Sequence, residues 1–148
     1  MSVLLKNRLS LGRIIALDVG RKRTGIAVSD PLKIIANGIE TVSTGLLFDF
    51  LKSYMQKEQV EIFVVGYPKQ MNNQPSEAVK YVEPVLNRLK KVYPAIPVVL
   101  HDERFTSKMA HQTMIDAGLG KKDRQNKALV DTISATIILQ SYLQTKEI

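Results

Sequence analysis

The sequence predicts an α/β fold, a mixed five-stranded sheet flanked by helices. Three observations lead there. The chain opens with an apolar strand, a tight basic turn and a second apolar strand, residues 13–30, which reads as an antiparallel hairpin. Segments of helical periodicity then alternate with short apolar runs, as βαβ units do. The whole is 148 residues with 45% hydrophobic content, enough for one domain, 1–148, with a real core.

The elements follow in order. Residues 13–19 and 24–30 form the hairpin, with Ile14, Ile15, Ala16 and Leu17 in its first strand and Ile26, Ala27 and Val28 in its second. Residues 34–42, IIANGIETV, read as a third, shorter strand in which Asn37-Gly38 marks a bulge or a turn. Leu46, Leu47, Phe50, Leu51 and Tyr54 recur at helical spacing over 46–58. EIFVVG, 61–66, is a buried strand, and the polar stretch YPKQMNNQPSE after it is a loop. Val79, Val82, Leu86 and Leu89 give 76–92 an amphipathic helical stripe. Residues 97–100 are the last strand, Thr106 can cap a helix ending near Gly118, and a final helix covers 127–145. A leading three-strand antiparallel meander plus two parallel strands makes the mixed sheet. No internal repeat, low-complexity tract or linker interrupts it.

Charge and composition narrow the function. A net charge of +7 and a pI near 9.7 favour an anionic partner, nucleic acid first, although a solubilising surface has the same composition. The absence of cysteine excludes structural disulfides and thiolate zinc sites. Asp18 interrupts the only candidate leader, and no apolar run reaches membrane-spanning length, so the expected compartment is the cytoplasm and no membrane partner is expected.

Three acids stand out. Asp18 lies where the first strand of ALDVGRKRTGIAVSD, 16–30, runs out. Gly20 and Gly25 flank Arg21, Lys22 and Arg23, which predicts a backbone turn closing around an anion. In HDERFTS, 101–107, Asp102 and Glu103 are adjacent, so extended backbone points them to opposite faces and only one can easily share a site. Arg104 adds a planar phosphate donor, yet the segment also reads as a solvated strand end with a helix cap. Asp131 is the only charged residue between Ala128 and Thr145, on a stripe with Ala135, Ile138 and Tyr142. A carboxylate there needs a partner or a metal, or it is a first-turn acid stabilised by the helix dipole and water. Ser134 and Ala135 are small enough for the helix to lie close to a sheet. Two strand-end carboxylates and one on a helix packed on the same sheet suit two divalent ions roughly 4 Å apart. His101 and His111 lack ligand spacing and read as structural, and Tyr67 reads as packing or as a base-stacking ring.

Taken in order, LDVGRKRTGIAVSD, VVGYPKQMNNQ, HDERFTS and VDTISATIILQSYL resemble the YqgF/RuvX family, in the RuvC-like part of the ribonuclease H-like fold. The resemblance runs from about Gly12 to Leu143. It implies a metal-dependent nuclease whose catalytic and metal-holding acids are Asp18, Glu103 and Asp131, using two Mg²⁺ or Mn²⁺ ions. It maps the first-motif arginine onto Arg23 and sets Arg104 and Thr106 in the third motif. The chain departs from the family pattern at Asn72-Asn73, where a glycine is common, and at Ser134, where an alanine is.

The expected activity is phosphodiester hydrolysis in structured nucleic acid, and the resemblance favours 5′-end maturation of pre-16S rRNA as its role. Arg21, Lys22, Arg23, Arg104, Lys121, Lys122, Arg124 and Lys127 would bind the nucleic acid. Holliday junction resolution by the same acids is the alternative and would favour a homodimer over a monomer. More distant readings are an actin-like nucleotide-binding domain, from the D-x-G-x-x-x-x-G spacing, and a nucleic-acid-binding module without catalysis.

Overall fold

The structure, a computed structural model, describes residues 12–67, 77–102 and 126–146, together with residues 109, 112, 113, 115, 116, 118 and 120. Five strands form one sheet: β1 (Arg13–Val19), β2 (Arg23–Ser29), β3 (Ala36–Ser43), β4 (Val60–Tyr67) and β5 (Val98–Asp102). Their order is β3-β2-β1-β4-β5. β1 and β2 pair antiparallel, as do β2 and β3, while β4 runs parallel to both β1 and β5. The meander and the two parallel additions are therefore as expected. Three helices fully within the described residues accompany them: α1 (Leu47–Met55), entered through a 3₁₀ turn at Thr44–Leu46, then α2 (Val79–Val92) and α3 (Lys127–Lys146).

The two faces of the sheet hold separate cores. Ile15, Leu17, Val19, Ile26, Val28, Phe63 and Val65 pack with Leu47 and Leu51 of α1 and with Val82, Val85, Leu86 and Leu89 of α2. On the other face Ile14, Ala16, Ala27 and Val64 meet Ala135, Ile138, Leu139 and Leu143 of α3. Both faces being covered explains the unbroken apolar runs of β1 and β4, where Ile14, Ile15, Ala16 and Leu17 have no exposed surface. Side-chain parity is thereby fixed along each strand, and the site depends on it.

Several boundaries differ from the sequence reading for identifiable reasons. β3 is eight residues long and not the shorter strand expected, because it pairs with β2 along its length. Its register shifts where Ile26 faces Glu40 but Ala27 faces Gly38, so the Asn37-Gly38 signal marks a bulge at Ile39. α1 ends at Met55 and not at 58, since the amides of Gln56, Lys57 and Glu58 turn back onto the carbonyls of Ser53 and Tyr54. Glu58 then pairs with Arg13 at 3.1 Å, at the start of β1. Pro97 precedes β5 and offers Phe63 only its carbonyl, as a residue without an N–H must. Thr106 and its helix cap lie outside the described residues, although Met109, Gln112, Thr113, Ile115 and Asp116 are helical and Gly118 takes a φ of 78°.

The β2–β3 connection is organised by one carboxylate. Asp30 accepts hydrogen bonds from the amides of Leu32, Ile34 and Ile35, at 3.2, 2.7 and 2.7 Å, around a left-handed Lys33 (φ 62°). Lys33 also pairs with Glu61 at 2.9 Å. Desolvation pushes the Asp30 carboxyl up, but the amides of Ile35, Ile34 and Leu32 outweigh it and hold the group below its ordinary value. A depressed folded value contributes stability above the unfolded value of about 3.9, and that contribution disappears as pH falls through the folded value. Asp30→Ala is accordingly expected to be less stable than the wild type at neutral pH, with the gap closing as pH falls through the depressed folded value. Urea midpoints of both proteins across that range check this, and a gap unchanged in acid would contradict it.

Candidate nucleic-acid and metal site

The site is built at the carboxyl end of β1, on the α3 side of the sheet. Asp18 follows Ile14 and Ala16 at alternate positions, and both face α3, so Asp18 does too. Its partner across the hairpin is Gly25. A Cβ on Gly25 would stand 2.0 Å from the Asp131 carbonyl oxygen and 2.4 Å from its carbonyl carbon. The backbone of α3 thus rests on β2 at the position facing Asp18, and the two acids share one corner of the fold.

Asp131 is seated from several sides. Asn126 caps α3, its Oδ1 accepting the amide of Leu129 at 3.2 Å. Thr41 of β3 donates to the Ala128 carbonyl at 2.6 Å and lies 2.6 Å from the Thr132 hydroxyl. Thr136 donates to the Thr132 carbonyl at 2.8 Å, and a Cβ at Gly38 would collide with both threonine side chains. Hydroxyls and missing Cβ atoms together set the helix at one height on the sheet. Ser134 is buried, with no hydrogen-bond partner for its hydroxyl among the described residues.

The carboxylate of Asp131 meets Arg23, whose Nε donates to Oδ2 at 2.9 Å. The pair is half-buried, with side chains 39% and 24% exposed. Arg23 is the first residue of β2 and shares parity with Gly25 and Ala27, so it also faces α3. Asp131 is therefore neither unpaired in the apolar stripe nor a first-turn acid. It sits in the second turn of α3 opposite a guanidinium.

The hairpin turn departs from the reading of an anion-cradling backbone. Gly20 donates its amide to the Arg23 carbonyl at 2.8 Å, leaving Arg21 and Lys22 exposed at the tip. Neither these residues nor Gly20 and Gly25 have positive φ, so successive amides do not converge as they do in an anion nest. Gly25 is not a turn glycine but the seat of α3. The turn is also braced from behind, its Gly20 and Lys22 carbonyls accepting from the Thr44 hydroxyl and amide at 2.7 and 2.9 Å. Any anion binding here belongs to the side chains.

Parity also separates Asp102 from the site. Val98 packs on the α1–α2 face and Val99 on the α3 face. Asp102 therefore points away from Asp18 and does not share a site with it. Glu103, Arg104, Lys121, Lys122 and Arg124 lie outside the described residues, and so does His111. Lys127 is exposed at the start of α3. His101 faces α3 and contacts the Ser141 hydroxyl at 3.0 Å, a packing role. Tyr67 lies on the opposite face, where its hydroxyl donates to Glu83 at 2.8 Å, which holds the phenol above its usual value. It packs and does not present a stacking ring beside Asp18. Among the described residues no three carboxylates or imidazoles gather to hold a metal. None of the described helices is long and apolar enough to cross a membrane.

Comparison with known proteins agrees with this architecture. The profile of the RuvX family, described as Holliday junction resolvase, matches residues 12–145. The chain belongs to the RuvX family. A Bacteroides fragilis relative named "Putative pre-16S rRNA nuclease" is 62% identical over 138 residues, 93% of this chain and 100% of its own length. Relatives of the same name from Flavobacterium johnsoniae and Porphyromonas gingivalis are 54% and 53% identical, over 90% and 93% of the chain and 97% and 99% of their own lengths. Among solved structures, Thermus thermophilus RuvC in complex with a Holliday junction substrate superposes with a TM-score of 0.54 at 16% identity, covering 92% of this chain and 96% of that one. That likeness shows the ribonuclease H-like fold in this RuvX-family chain.

Proposed function

We propose that this protein is a metal-dependent nuclease, one domain over residues 1–148, which hydrolyses phosphodiester bonds in structured nucleic acid and matures the 5′ end of pre-16S rRNA. The observation that carries the reading is the corner where Asp18 and Asp131 share one face beside the basic β1–β2 turn. Membership of the RuvX family and the name of its close relatives support it. Glu103, which immediately follows β5, would be the third acid. An rRNA substrate would place the protein in the cytoplasm.

The residues present fit divalent metal. Asp18 and Asp131 offer hard carboxylate oxygens in a chain without thiolate, and the His101 imidazole on the same face is engaged with the Ser141 hydroxyl, which leaves the donor chemistry that Mg²⁺ and Mn²⁺ take. Asp18, Glu103 and Asp131 would hold two such ions, which when bound supply Lewis acidity toward water and toward the leaving oxygen. Around them the chain positions the phosphate. Arg23, whose Nε holds Asp131, has Nη groups with no hydrogen-bond partner among the described residues, and these could take a phosphate. Arg21 and Lys22 stand at the exposed tip, and Arg104, Lys121, Lys122, Arg124 and Lys127 would extend the cationic track.

Junction resolution is the second reading, favoured by the description of the RuvX family. It needs two copies, because opposed strands must both be cut. The nucleotide-binding alternative loses its main support at Gly25, whose open side is filled by the backbone of Asp131 and not by a phosphate. The deciding experiment offers a pre-16S 5′ leader RNA and a mobile four-way DNA junction side by side, in Mg²⁺ and in Mn²⁺, with Asp131→Asn as control. Cleavage of the RNA, lost in the control, is the expected result. Cleavage of the junction alone would assign the protein to recombination, and inactivity on both would leave a binding module.

A further inference from the structure

We propose that Arg23 is a latch that couples metal loading to nucleic-acid binding: it occupies the Asp131 carboxylate at rest and releases it when a phosphate draws the guanidinium away. This deepens the reading of Asp18 and Asp131 as a metal site and rests on it. Asp131 is the only acid on α3, and its Oδ2 is already committed to Arg23 at 2.9 Å. A divalent ion at Asp131 therefore competes with a resident monovalent cation. Displacing that cation into empty solvent costs part of the ion's binding energy, so the free protein holds metal weakly at this acid.

The geometry lets a phosphate relieve the competition. Arg23 opens β2 directly after the exposed Arg21 and Lys22, at the end of the sheet where Asp18 lies. Its side chain is 39% exposed, more than the 24% of its partner, so the guanidinium is on the solvent side of the pair. Among the described residues only Nε is engaged, and a planar guanidinium exchanges a carboxylate for a phosphate without changing its hydrogen-bond geometry. Asp131 cannot follow it outward. Its backbone is pinned against Gly25 and held by the Thr41–Ala128 and Thr41–Thr132 contacts. When Arg23 moves to phosphate, Asp131 stays at the site with both oxygens available. Nucleic acid and metal then favour each other's binding, and by linkage each strengthens the other by the same factor. Metal would load fully only where there is a strand to cut.

The test reads Mn²⁺ affinity, through free Mn²⁺ by electron paramagnetic resonance, with and without a phosphorothioate-substituted hairpin RNA that resists cleavage. In the free protein Arg23→Gln is expected to bind Mn²⁺ about two to five times more tightly than the wild type, the range corresponding to a partly exposed ion pair. The hairpin RNA should tighten Mn²⁺ binding to the wild type by a factor that is largely lost in Arg23→Gln. Lys22→Gln removes the same charge one residue away without touching Asp131 and controls for the general field. A gain in Lys22→Gln equal to that in Arg23→Gln would overturn the latch, and so would Mn²⁺ affinity unchanged by Arg23→Gln while Asp18→Asn abolishes binding. Mn²⁺ binding absent from every variant, or indifferent to Asp18→Asn, would overturn the metal-site reading itself and the latch with it.

Discussion

Gly25→Ala is expected to destabilise the protein by about 3 kcal/mol or more and to remove Asp131 from its position, through the addition of one methyl group. The new Cβ would lie 2.0 Å from the Asp131 carbonyl oxygen, 2.4 Å from its carbonyl carbon and 3.1 Å from the amide nitrogen of Thr132. All three are backbone atoms of a helix, so no side-chain rotation relieves the overlap. Either β2 bends or α3 lifts, and lifting α3 opens the core that Ala135, Ile138, Leu139 and Leu143 form with Ile14, Ala16 and Val64. Local propensity argues the other way, since alanine in a strand interior is favoured over glycine by roughly 0.5–1 kcal/mol. The sign of the measured change therefore decides between the tertiary and local accounts. Urea denaturation of Gly25→Ala beside Gly45→Ala makes the comparison, because a Cβ at Gly45 would meet only the Ser43 hydroxyl at 3.9 Å. A Gly25→Ala midpoint equal to the wild-type value would show that α3 does not rest on Gly25.

Gly25 also marks the limit of what the sequence discloses. Strands and helices were legible because burial on two faces writes apolar runs into β1 and β4 and a stripe into α2. The acids were legible because a carboxylate at a strand end, or alone in an apolar helix, breaks the local pattern. Gly25 broke no pattern: five residues after Gly20, it passed for the second hinge of a turn, and its actual neighbour is 106 residues further along. The Arg23–Asp131 pair spans 108 residues and exists only through that seating. A faint signal was available in Gly38, Thr132 and Thr136, small and hydroxylic residues that pack a helix closely on an edge strand. It has meaning only once β3 is known to lie under α3. For the adjacent acids the sequence offered only that one of the two can share a site, and of the pair the structure describes Asp102 alone. The choice between them required the register of β5, which places Val99 with α3 and Asp102 away from it.

That choice supplies the second large effect. Asp18→Asn is expected to reduce cleavage at least about a hundredfold, beyond what the loss of an outer-shell partner causes, while nucleic-acid binding persists. The amide matches the carboxylate in size at a half-buried strand end, so folding should be little changed. What is lost is one negative charge and one hard donor. Binding to phosphate should hold or strengthen, since an anion has been removed beside Arg21, Lys22 and Arg23. Asp102→Asn is the counterpart, the same substitution at the end of the neighbouring parallel set but on the opposite face. If sheet parity selects the acids, Asp102→Asn keeps its cleavage and Asp18→Asn does not. Gel-shift and cleavage assays on both proteins, at one salt concentration, separate binding from chemistry. Equal loss in both variants would mean that net acidity at this end of the sheet, and not the face on which a carboxylate stands, supports the reaction. Full activity in Asp18→Asn would remove Asp18 from the mechanism altogether.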